Sequence, residues 1–490
     1  MNPARRTVLS SLLLSLSFAA IGCGSAPRAT TDTAHNTPWT AAETPKPGAR
    51  RQLKDTPFER SWDLNLKQQV SGSWILPETP ETLLLQLASH ELVAIDTMSG
   101  HTRWVSMALP ETLRIAPGAS RMRVPGERQD VVVYDDRLYV VSQDIMFCFD
   151  MASGQLVWRY ELPFSPSSAP RPVGVDSSLR VFLGDWAGRL QVVSYEMDKG
   201  FPYINWQFNL GTTLKAAPVE KEELVYVADG SGMVRAFKQD RQQVWFFKAG
   251  GNITGSPVVR DRVLFVGTSD HILYALDRLT GELLGQCNLN APLGRTPFVF
   301  KRDNKRVYAW VDDAGSGQAG LHAFHAATDT VPFTDATRHP LDVVRMGQDW
   351  QLTGVDSLVG STPGYLYLTG GGSTVVQAVN RETGSVDWTW DANEERRNEQ
   401  LATGVRSGDV ARVTSLVPYQ DENDRDRSFY AIDEHGVVVA YRFFGFVPEL
   451  VQAAGPTLPV HPKADKADKP ADKADDKAAD KPAAEAPKAQ

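Results

Sequence analysis

Short apolar runs separated by turn-forming residues recur along the middle of the chain. One such run, residues 272–276, reads Ile-Leu-Tyr-Ala-Leu and is followed directly by Asp277. Runs of this length are typical of β-strands, whereas an amphipathic helix needs about ten or more residues with apolar positions at a 3.6-residue period. We find no helical period of useful length between the runs. The pattern therefore predicts an all-β domain of short antiparallel strands.

Four of the runs end in a common turn motif, Asp/Asn-x-x-Ser/Thr-Gly, and in three of the four a tryptophan follows four residues after the glycine. An Asp or Asn side chain can accept backbone N–H groups inside a tight turn, and glycine supplies the positive φ that closes a hairpin. In the third motif Gly285 stands where the others have tryptophan. The predicted turn residues are Asp96, Gly100, Asp150, Gly154, Asp277, Gly281, Asn380 and Gly384.

A tryptophan on the strand after the turn is expected to fill the gap between neighbouring sheets, because its ring is large and mostly apolar. Further tight turns, such as 185–188 and 229–232, precede the next strands, so that each unit contains four antiparallel strands. Blade-packing tryptophans are predicted at Trp62, Trp104, Trp158, Trp206, Trp245 and Trp388, with degenerate positions around Gly285 and Phe333.

The spacing of these units predicts the blades of a β-propeller. Trp62 and Trp388 are 326 residues apart, which gives about 47 residues for each of seven steps, as in four-stranded blades. The strand at 61–66 has no unit before it, and the strands at 429–432 and 437–441 lack a fourth strand after them. We therefore expect an eight-bladed propeller of four-stranded antiparallel sheets, which the N-terminal strand closes without leaving a sheet edge open. Seven blades is the alternative, because the sixth unit is weak.

The first residues have the pattern of an export signal. Arg5 and Arg6 precede an apolar stretch, 8–20, that is too short to span a bilayer comfortably. Ala-Ile-Gly then precedes Cys23, which resembles the lipobox of bacterial lipoproteins. The resemblance implies a signal peptide over 1–22, cleavage before Cys23, and a lipid anchor on that cysteine. The alternative is an unmodified cysteine near the end of a signal peptide.

Gly24 follows the cysteine. In well-studied bacteria an aspartate at that position retains lipoproteins in the inner membrane, so Gly24 favours the periplasmic face of the outer membrane, with the inner membrane as the alternative. The paired arginines are compatible with twin-arginine export and with the general secretory route, and the sequence leaves both open.

Both ends of the chain have compositions that cannot bury enough apolar surface to form a core. Residues 23–57 are rich in Ala, Thr and Pro, and the C-terminal residues are rich in Lys, Asp, Ala and Pro. The sequence therefore predicts a flexible lipid-anchored tether over 23–57, a propeller over 58–446 and a disordered tail over 447–490.

Composition and charge argue against several classes of function. The formal net charge is -8, so the chain has no basic excess to pair with nucleic-acid phosphates. Cys148 and Cys287 are widely separated, which argues against a structural zinc site. Glycines at 315–320 match a dinucleotide fingerprint, but no helix is predicted after them. The acidic cluster at 421–427 is interpreted as a solvated hairpin loop, with a calcium site as the alternative.

Two histidines, His322 and His325, lie three residues apart on a predicted strand and should face opposite sides of the sheet. We therefore predict no catalytic, cofactor-binding or metal-binding residues.

The repeat motif resembles the repeats of pyrroloquinoline-quinone (PQQ) dehydrogenase propellers. Eight such units behind a lipobox are most similar to the BamB family of outer-membrane assembly lipoproteins. This resemblance implies a non-catalytic scaffold that binds an envelope protein, a component of β-barrel assembly, and needs no cofactor. Quinone enzymes of the superfamily carry adjacent cysteines, and this chain has none. The alternatives are a PQQ-dependent oxidoreductase and a lipoprotein that binds another envelope ligand.

Three long connections, at 338–354, 392–412 and 420–427, exceed ordinary hairpin loops and could carry a binding surface. The middle one is heavily charged, and its candidate partner-binding residues are Glu394, Glu395, Arg396 and Arg397. The alternative is a solvated insertion without a binding role.

Overall fold

The computed structural model describes most of the middle of the chain. The described ranges are 46–52, 58–76, 78–110, 131–174, 178–196, 200–253, 255–289, 291–300, 303–312, 317, 319–331, 341–370, 373–418 and 428–443. Of the segments predicted outside the propeller, only residues 46–52 fall within them.

The chain forms eight antiparallel sheets in succession, each with the strand order of a propeller blade. The first four blades follow the chain directly. Blade 1 contains β3 (Val70–Ile75), β4 (Thr82–Leu87), β5 (Glu91–Asp96) and β6 (Thr102–Ala108). Blade 2 contains β7 (Val131–Tyr134), β8 (Arg137–Ser142), β9 (Ile145–Asp150) and β10 (Leu156–Glu161). Blade 3 contains β11 (Arg171–Val173), β12 (Arg180–Gly184), β13 (Arg189–Glu196) and β14 (Phe201–Asn209). Blade 4 contains β15 (Val219–Lys221), β16 (Leu224–Ala228), β17 (Met233–Lys238) and β18 (Gln243–Lys248).

The remaining blades continue in the same order, with one helix between the last two. Blade 5 contains β19 (Val258–Arg260), β20 (Val263–Gly267), β21 (Ile272–Asp277) and β22 (Leu283–Asn288). Blade 6 contains β23 (Phe298–Phe300), β24 (Asp303–Val311), β25 (Gly320–Val331) and β26 (Leu341–Thr353). Blade 7 contains β27 (Ser357–Ser361), β28 (Tyr365–Thr369), β29 (Val375–Asn380) and β30 (Val386–Asp391), and helix α1 (Ala392–Ala402) follows it. Blade 8 contains β31 (Val413–Pro418), β32 (Ser428–Asp433) and β33 (Val437–Phe443), together with β2 (Phe58–Asn65) and β1 (Lys46–Gln52) from the N-terminal part.

The N-terminal strand closes the ring. Strand β2 pairs with β33 in an antiparallel register that runs from Phe58 opposite Phe443 to Asn65 opposite Val437. The eight blades and this closure confirm the predicted architecture. Strand β1 pairs with the outer side of β2 and adds a fifth strand to blade 8. It lies within the segment that the sequence assigns to the tether, so the sheet extends N-terminally beyond residue 58.

The core lies between the blades. Second and third strands are buried along nearly their whole length, as β16 shows, because they have a neighbouring blade on each face. Outer strands such as β18 alternate between buried and exposed residues. Each apolar cluster joins two adjacent blades; one combines Trp74 and Leu84 of blade 1 with Phe147 and Phe149 of blade 2. The stability of each blade therefore depends on its neighbours.

Blade 6 departs from the repeat. The segment 338–354, predicted as a long connection, instead contains the outer strand β26, which pairs with β25 along its whole length. That prediction was wrong, because the charged residues and glycine of this segment resemble a loop in sequence. Trp350 on β26 takes the blade-packing position that was expected near Phe333, and Phe333 itself lies outside the described residues.

Helix α1 corrects a second expectation, since no helix was predicted within 392–412. Asp391 caps its N-terminus by accepting a hydrogen bond from the backbone N–H of Asn393. Glu394 and Glu395 place negative charge in the first turn, where the helix dipole favours it. The helix has few apolar residues, so a search for an apolar stripe does not detect it. Within the described residues, the helical segments are all too short and too polar to cross a membrane.

Candidate functional site

The tryptophans of the repeat join neighbouring blades. Trp104 of blade 1 donates its indole N–H to the backbone carbonyl of Met151 in the turn of blade 2, at 2.8 Å. Its ring lies so close to Gly154 that an added Cβ there would be 2.4 Å away. The same donation links Trp62 to Thr97, Trp206 to Gln239, Trp245 to Arg278 and Trp350 to Arg381. These residues therefore pack the ring together rather than present a ligand surface.

The two other predicted tryptophans also pack between side chains. Trp158 is buried and stacks on Tyr195, with ring centroids 5.6 Å apart. Trp388 is half-buried and meets Phe58 of the closing strand edge to face at 5.4 Å.

The predicted turn residues form local turns beside these tryptophans. The Asp96 carboxylate accepts the backbone N–H groups of Met98 and Ser99, and Gly100 adopts a φ of 76°. Gly154, Gly281 and Gly384 adopt φ values of 70°, 77° and 72°, and the side chains of Asp150, Asp277 and Asn380 accept backbone N–H groups in their turns.

The four candidate partner-binding residues lie on helix α1 but do not share one surface. Glu394 and Arg397 are exposed, whereas Glu395 and Arg396 are half-buried. A partner approaching from solvent would meet Glu394 and Arg397 first.

Arg396 forms ion pairs within the protein. Its guanidinium donates to the buried carboxylate of Asp433 in blade 8 at 2.9 Å and pairs with Glu399 one helical turn later. Glu399 also pairs with Arg60 of the closing strand β2 at 3.1 Å. Helix α1 is thereby tied by ion pairs to two strands of blade 8.

A different surface, on the outer strand of blade 4, was not predicted from the sequence. Along β18, Val244 and Phe246 are 42% and 62% exposed, while Trp245 between them is buried. The two exposed side chains form an apolar patch on this outer strand, with Val244 at a bulge in the pairing of β18 with β17. Among the described side chains, the other outer strands expose at most one large apolar residue each, such as Val386 on β30. The run of four apolar residues at 244–247 could have indicated this face, because a strand that buries only one face cannot cover all four side chains.

Groups that could carry chemistry are dispersed among the described residues. Cys148 and Cys287 are free thiols on β9 and β22, and burial raises the pKa of the Cys148 thiol to about 12. His322 is buried beside Phe324, whereas His325 is exposed on the opposite face and contacts Asp349. No group of three or more His, Cys, Asp or Glu side chains in this part of the chain could share a metal ion.

The cysteines of the described residues do not match the cysteine pattern of quinone enzymes. The two described cysteines lie on separate blades, so they cannot form the adjacent-cysteine disulfide of quinone enzymes. Cys23 and the acidic cluster at 421–427 lie outside the described residues, and of the glycine pattern at 315–320 Gly320 begins strand β25.

A protein-family model described as outer membrane protein assembly factor BamB, of the PQQ repeat type, matches residues 144–335. The match runs from β9 of blade 2 into blade 6 and includes strand β18. No curated protein matches the chain.

Several solved structures are similar in fold. BamB from Moraxella catarrhalis aligns with a TM-score of 0.38 at 15% identity, over 83% of this chain and 99% of that chain. The computationally designed Ika8 protein aligns with a TM-score of 0.45 at 12% identity, over 77% and 97%. Quinohemoprotein alcohol dehydrogenase ADHIIG from Pseudomonas putida HK5 aligns with a TM-score of 0.49 at 13% identity, over 80% and 77%.

These structural similarities concern the fold alone, and the family match covers less than half of the chain. Together with the eight repeated blades, the family match makes this chain a BamB-like β-propeller of PQQ-type repeats.

Proposed function

We propose that this protein is a non-catalytic scaffold, anchored through a lipid on Cys23 at the periplasmic face of the outer membrane, that assists β-barrel assembly by binding a protein partner. The match to the BamB family model supports the class of partner. The observation that carries the proposal is the open apolar edge of β18, which lies inside the matched stretch.

An edge strand of this kind can bind an extended segment by adding it to the sheet, with backbone hydrogen bonds giving affinity and side-chain pockets giving specificity. The molecule contains one such addition already, since β1 pairs with the outer side of β2 in blade 8. Blade 4 has the same strand order as the other blades and no fifth strand on β18 among the described residues. The outer edge of β18 is therefore available for a strand from another chain.

The chemistry of the edge favours a particular kind of strand. Val244 and Phe246 supply exposed apolar side chains, and Gln243 and Lys248 stand at the two ends of the strand. Strands of transmembrane β-barrels alternate apolar and polar residues with a period of two. A barrel strand that is not yet inserted could place its apolar residues beside Val244 and Phe246 while its backbone pairs with β18.

Crosslinked capture from detergent-solubilised membranes tests this proposal. The full-length chain and its Phe246→Glu variant are compared, with Val386→Glu on the outer strand of blade 7 as the matched control. We expect Phe246→Glu to reduce recovery of β-barrel proteins or their assembly factors by about tenfold, because it places a charge at the centre of the apolar patch. Val386→Glu should leave recovery unchanged. Equal recovery with both variants, or capture of no such protein by the wild type, would overturn the proposal.

Two further measurements test the anchor and the absence of catalysis. A Cys23→Ser variant should lose metabolic labelling with palmitate and leave the membrane fraction. Reconstitution with PQQ and calcium, followed by a dye-reduction assay, should give no turnover, and turnover would favour the oxidoreductase alternative.

A further inference from the structure

Trp186 does not belong to the blade-packing series. It is the one tryptophan of the described residues that is largely exposed, at 53%. It lies in the turn between β12 and β13, and the corresponding turns of blades 4 and 5 have Gly230 and Ser269 at this position. The three turns close with the same hydrogen bond, from the first turn residue to the carbonyl of the residue four positions later. Turn geometry therefore does not require an indole here.

The indole lines a pocket of about 530 Å³ beside the connection between blades 2 and 3. Pockets of about 300–1,000 Å³ are the usual size for small-molecule sites. Phe164 and Ile204 contribute the other apolar walls, and Trp186 contributes the exposed aromatic face. The pocket is thus open on one side and apolar over part of its wall.

The remaining wall is a fixed polar network. The buried carboxylate of Asp185 accepts the backbone N–H of Arg189 at 2.8 Å and the side-chain amide of Gln191 at 2.7 Å. Gln191 and Arg189 both donate towards the side-chain carbonyl of Gln207, at 3.5 Å. Asp185 and Gln191 are 2% and 3% exposed, so their orientations are set by packing rather than by solvent.

The charges of this wall nearly cancel. Asp185 and the Arg189 guanidinium are 4.0 Å apart. In blade 4 the corresponding aspartate, Asp229, pairs directly with Arg235, whereas blade 3 has the neutral Gln191 at that position. Blade 3 thereby replaces an ion pair with an amide that can both donate and accept hydrogen bonds. An ion of either sign would meet a repelling group here, which favours an uncharged ligand.

We propose that this pocket binds a neutral sugar ring of a cell-envelope glycan. A pyranose has an apolar face of C–H groups, which fits the exposed indole, and hydroxyl groups at its edge, which fit Gln191, Gln207 and Arg189. A purely apolar side chain of a peptide would leave these polar groups unpaired on burial. The same ring chemistry could come from a free oligosaccharide or from a polymeric glycan strand.

Binding is measured with the full-length protein by saturation-transfer NMR and calorimetry. The probes are an N-acetylglucosamine tetramer and maltotetraose as free oligosaccharides, with co-sedimentation on purified peptidoglycan sacculi as the polymer arm. Wild-type protein should bind at least one probe. Tighter binding to the free oligosaccharides or to the sacculi identifies the source of the sugar ring.

Two variants separate the two halves of the pocket. Trp186→Ala should weaken sugar binding by about tenfold through loss of the aromatic face, without a change in thermal melting because the side chain is exposed. Gln207→Leu on the exposed rim should also weaken binding, because it removes a hydrogen-bonding partner of the sugar hydroxyls. Phe246→Ala, which removes an exposed aromatic ring on blade 4, is the matched control and should bind sugar like the wild type.

Failure to bind any probe would overturn the proposal, and so would equal binding by wild type and Trp186→Ala. Binding of a hydrophobic peptide that no sugar displaces would also overturn it. The proposed function is tested separately, because Trp186→Ala should leave capture of protein partners unchanged and Phe246→Glu should leave sugar binding unchanged.

Discussion

The repeat motif would place a tryptophan at position 285, where this chain has glycine. Replacing Gly285 by Trp restores the motif and would be expected to stabilise the ring if the sequence pattern alone were the guide. The structure predicts the opposite. A Cβ at position 285 would lie 2.1 Å from the backbone carbonyl oxygen of Val344, because β26 of blade 6 packs against β22 at this point.

The size of the destabilisation follows from how far β26 must shift. Even the Cβ of an alanine requires β26 to shift by about 1 Å, and overpacking of this kind costs about 1–3 kcal/mol. Val344 is 2% exposed and packs in the apolar cluster between blades 5 and 6. An indole would displace it as well, so we expect Gly285→Trp to cost about 2–4 kcal/mol and Gly285→Ala about 1–3 kcal/mol.

Chemical denaturation followed by circular dichroism measures this difference. The midpoint denaturant concentration should fall in the order wild type, Gly285→Ala, Gly285→Trp, and the melting temperature should drop by about 1 °C per kcal/mol in a domain of this size. Gly408→Ala is the matched control, because nothing lies within 4 Å of an added Cβ there. A Gly285→Trp variant as stable as the wild type would show that β26 does not rest on β22.

Three further predictions concern the joints of the ring and a buried thiol. Trp350→Ala should lower the free energy of unfolding by about 3–5 kcal/mol, because the buried ring also donates to the carbonyl of Arg381; a loss below about 1 kcal/mol in urea denaturation would refute its role as the tryptophan of blade 6. Phe58→Ala should cost a similar amount, since this fully buried ring meets five other aromatic rings at the closure, and unchanged melting would contradict closure through β2. Burial raises the pKa of the Cys148 thiol from 9.0 to about 12. Between these pH values the thiol keeps its proton in the folded state and loses it in the unfolded state. The free energy of unfolding therefore falls as the pH rises from about 9 towards 12. Stability measured against pH should fall less steeply for Cys148→Ala than for the wild type, whereas Cys287→Ala, at the half-buried thiol, should follow the wild type more closely.

The ring could be predicted from the sequence because its signals are local. Asp96 and Gly100 form their turn with neighbouring residues, and the tryptophan four residues later indicates the next strand. Closure by β2 could be predicted as well, since an unpaired strand at each end of a repeat array has few other solutions. These features depend on residues near one another in sequence, or on counting.

Blade 6 and helix α1 depend in part on distant contacts, which the local sequence pattern does not show. Strand β26 is held by pairing with β25 and by packing on blade 5, and neither is visible in the composition of 341–353. Helix α1 is held by the Asp391 cap and by the ion pairs of Arg396 with Asp433 of blade 8. The exposure of Phe246 and Trp186 likewise depends on which neighbouring blade covers each strand face, which a strand pattern does not report.

Departures from the repeat locate the parts of this propeller that do more than close the ring. The packing tryptophans, which most units share, join one blade to the next and leave little free surface for a ligand. Gly285 departs because an extended strand of the next blade occupies the space of an indole. Trp186 departs in the other direction, since it adds an indole where the corresponding turns of blades 4 and 5 have glycine and serine, and this indole lines a pocket. In a repeat protein, some positions depart from the motif although packing between the blades does not require it. Such a position is therefore better evidence for a ligand site than any residue that the motif itself contains.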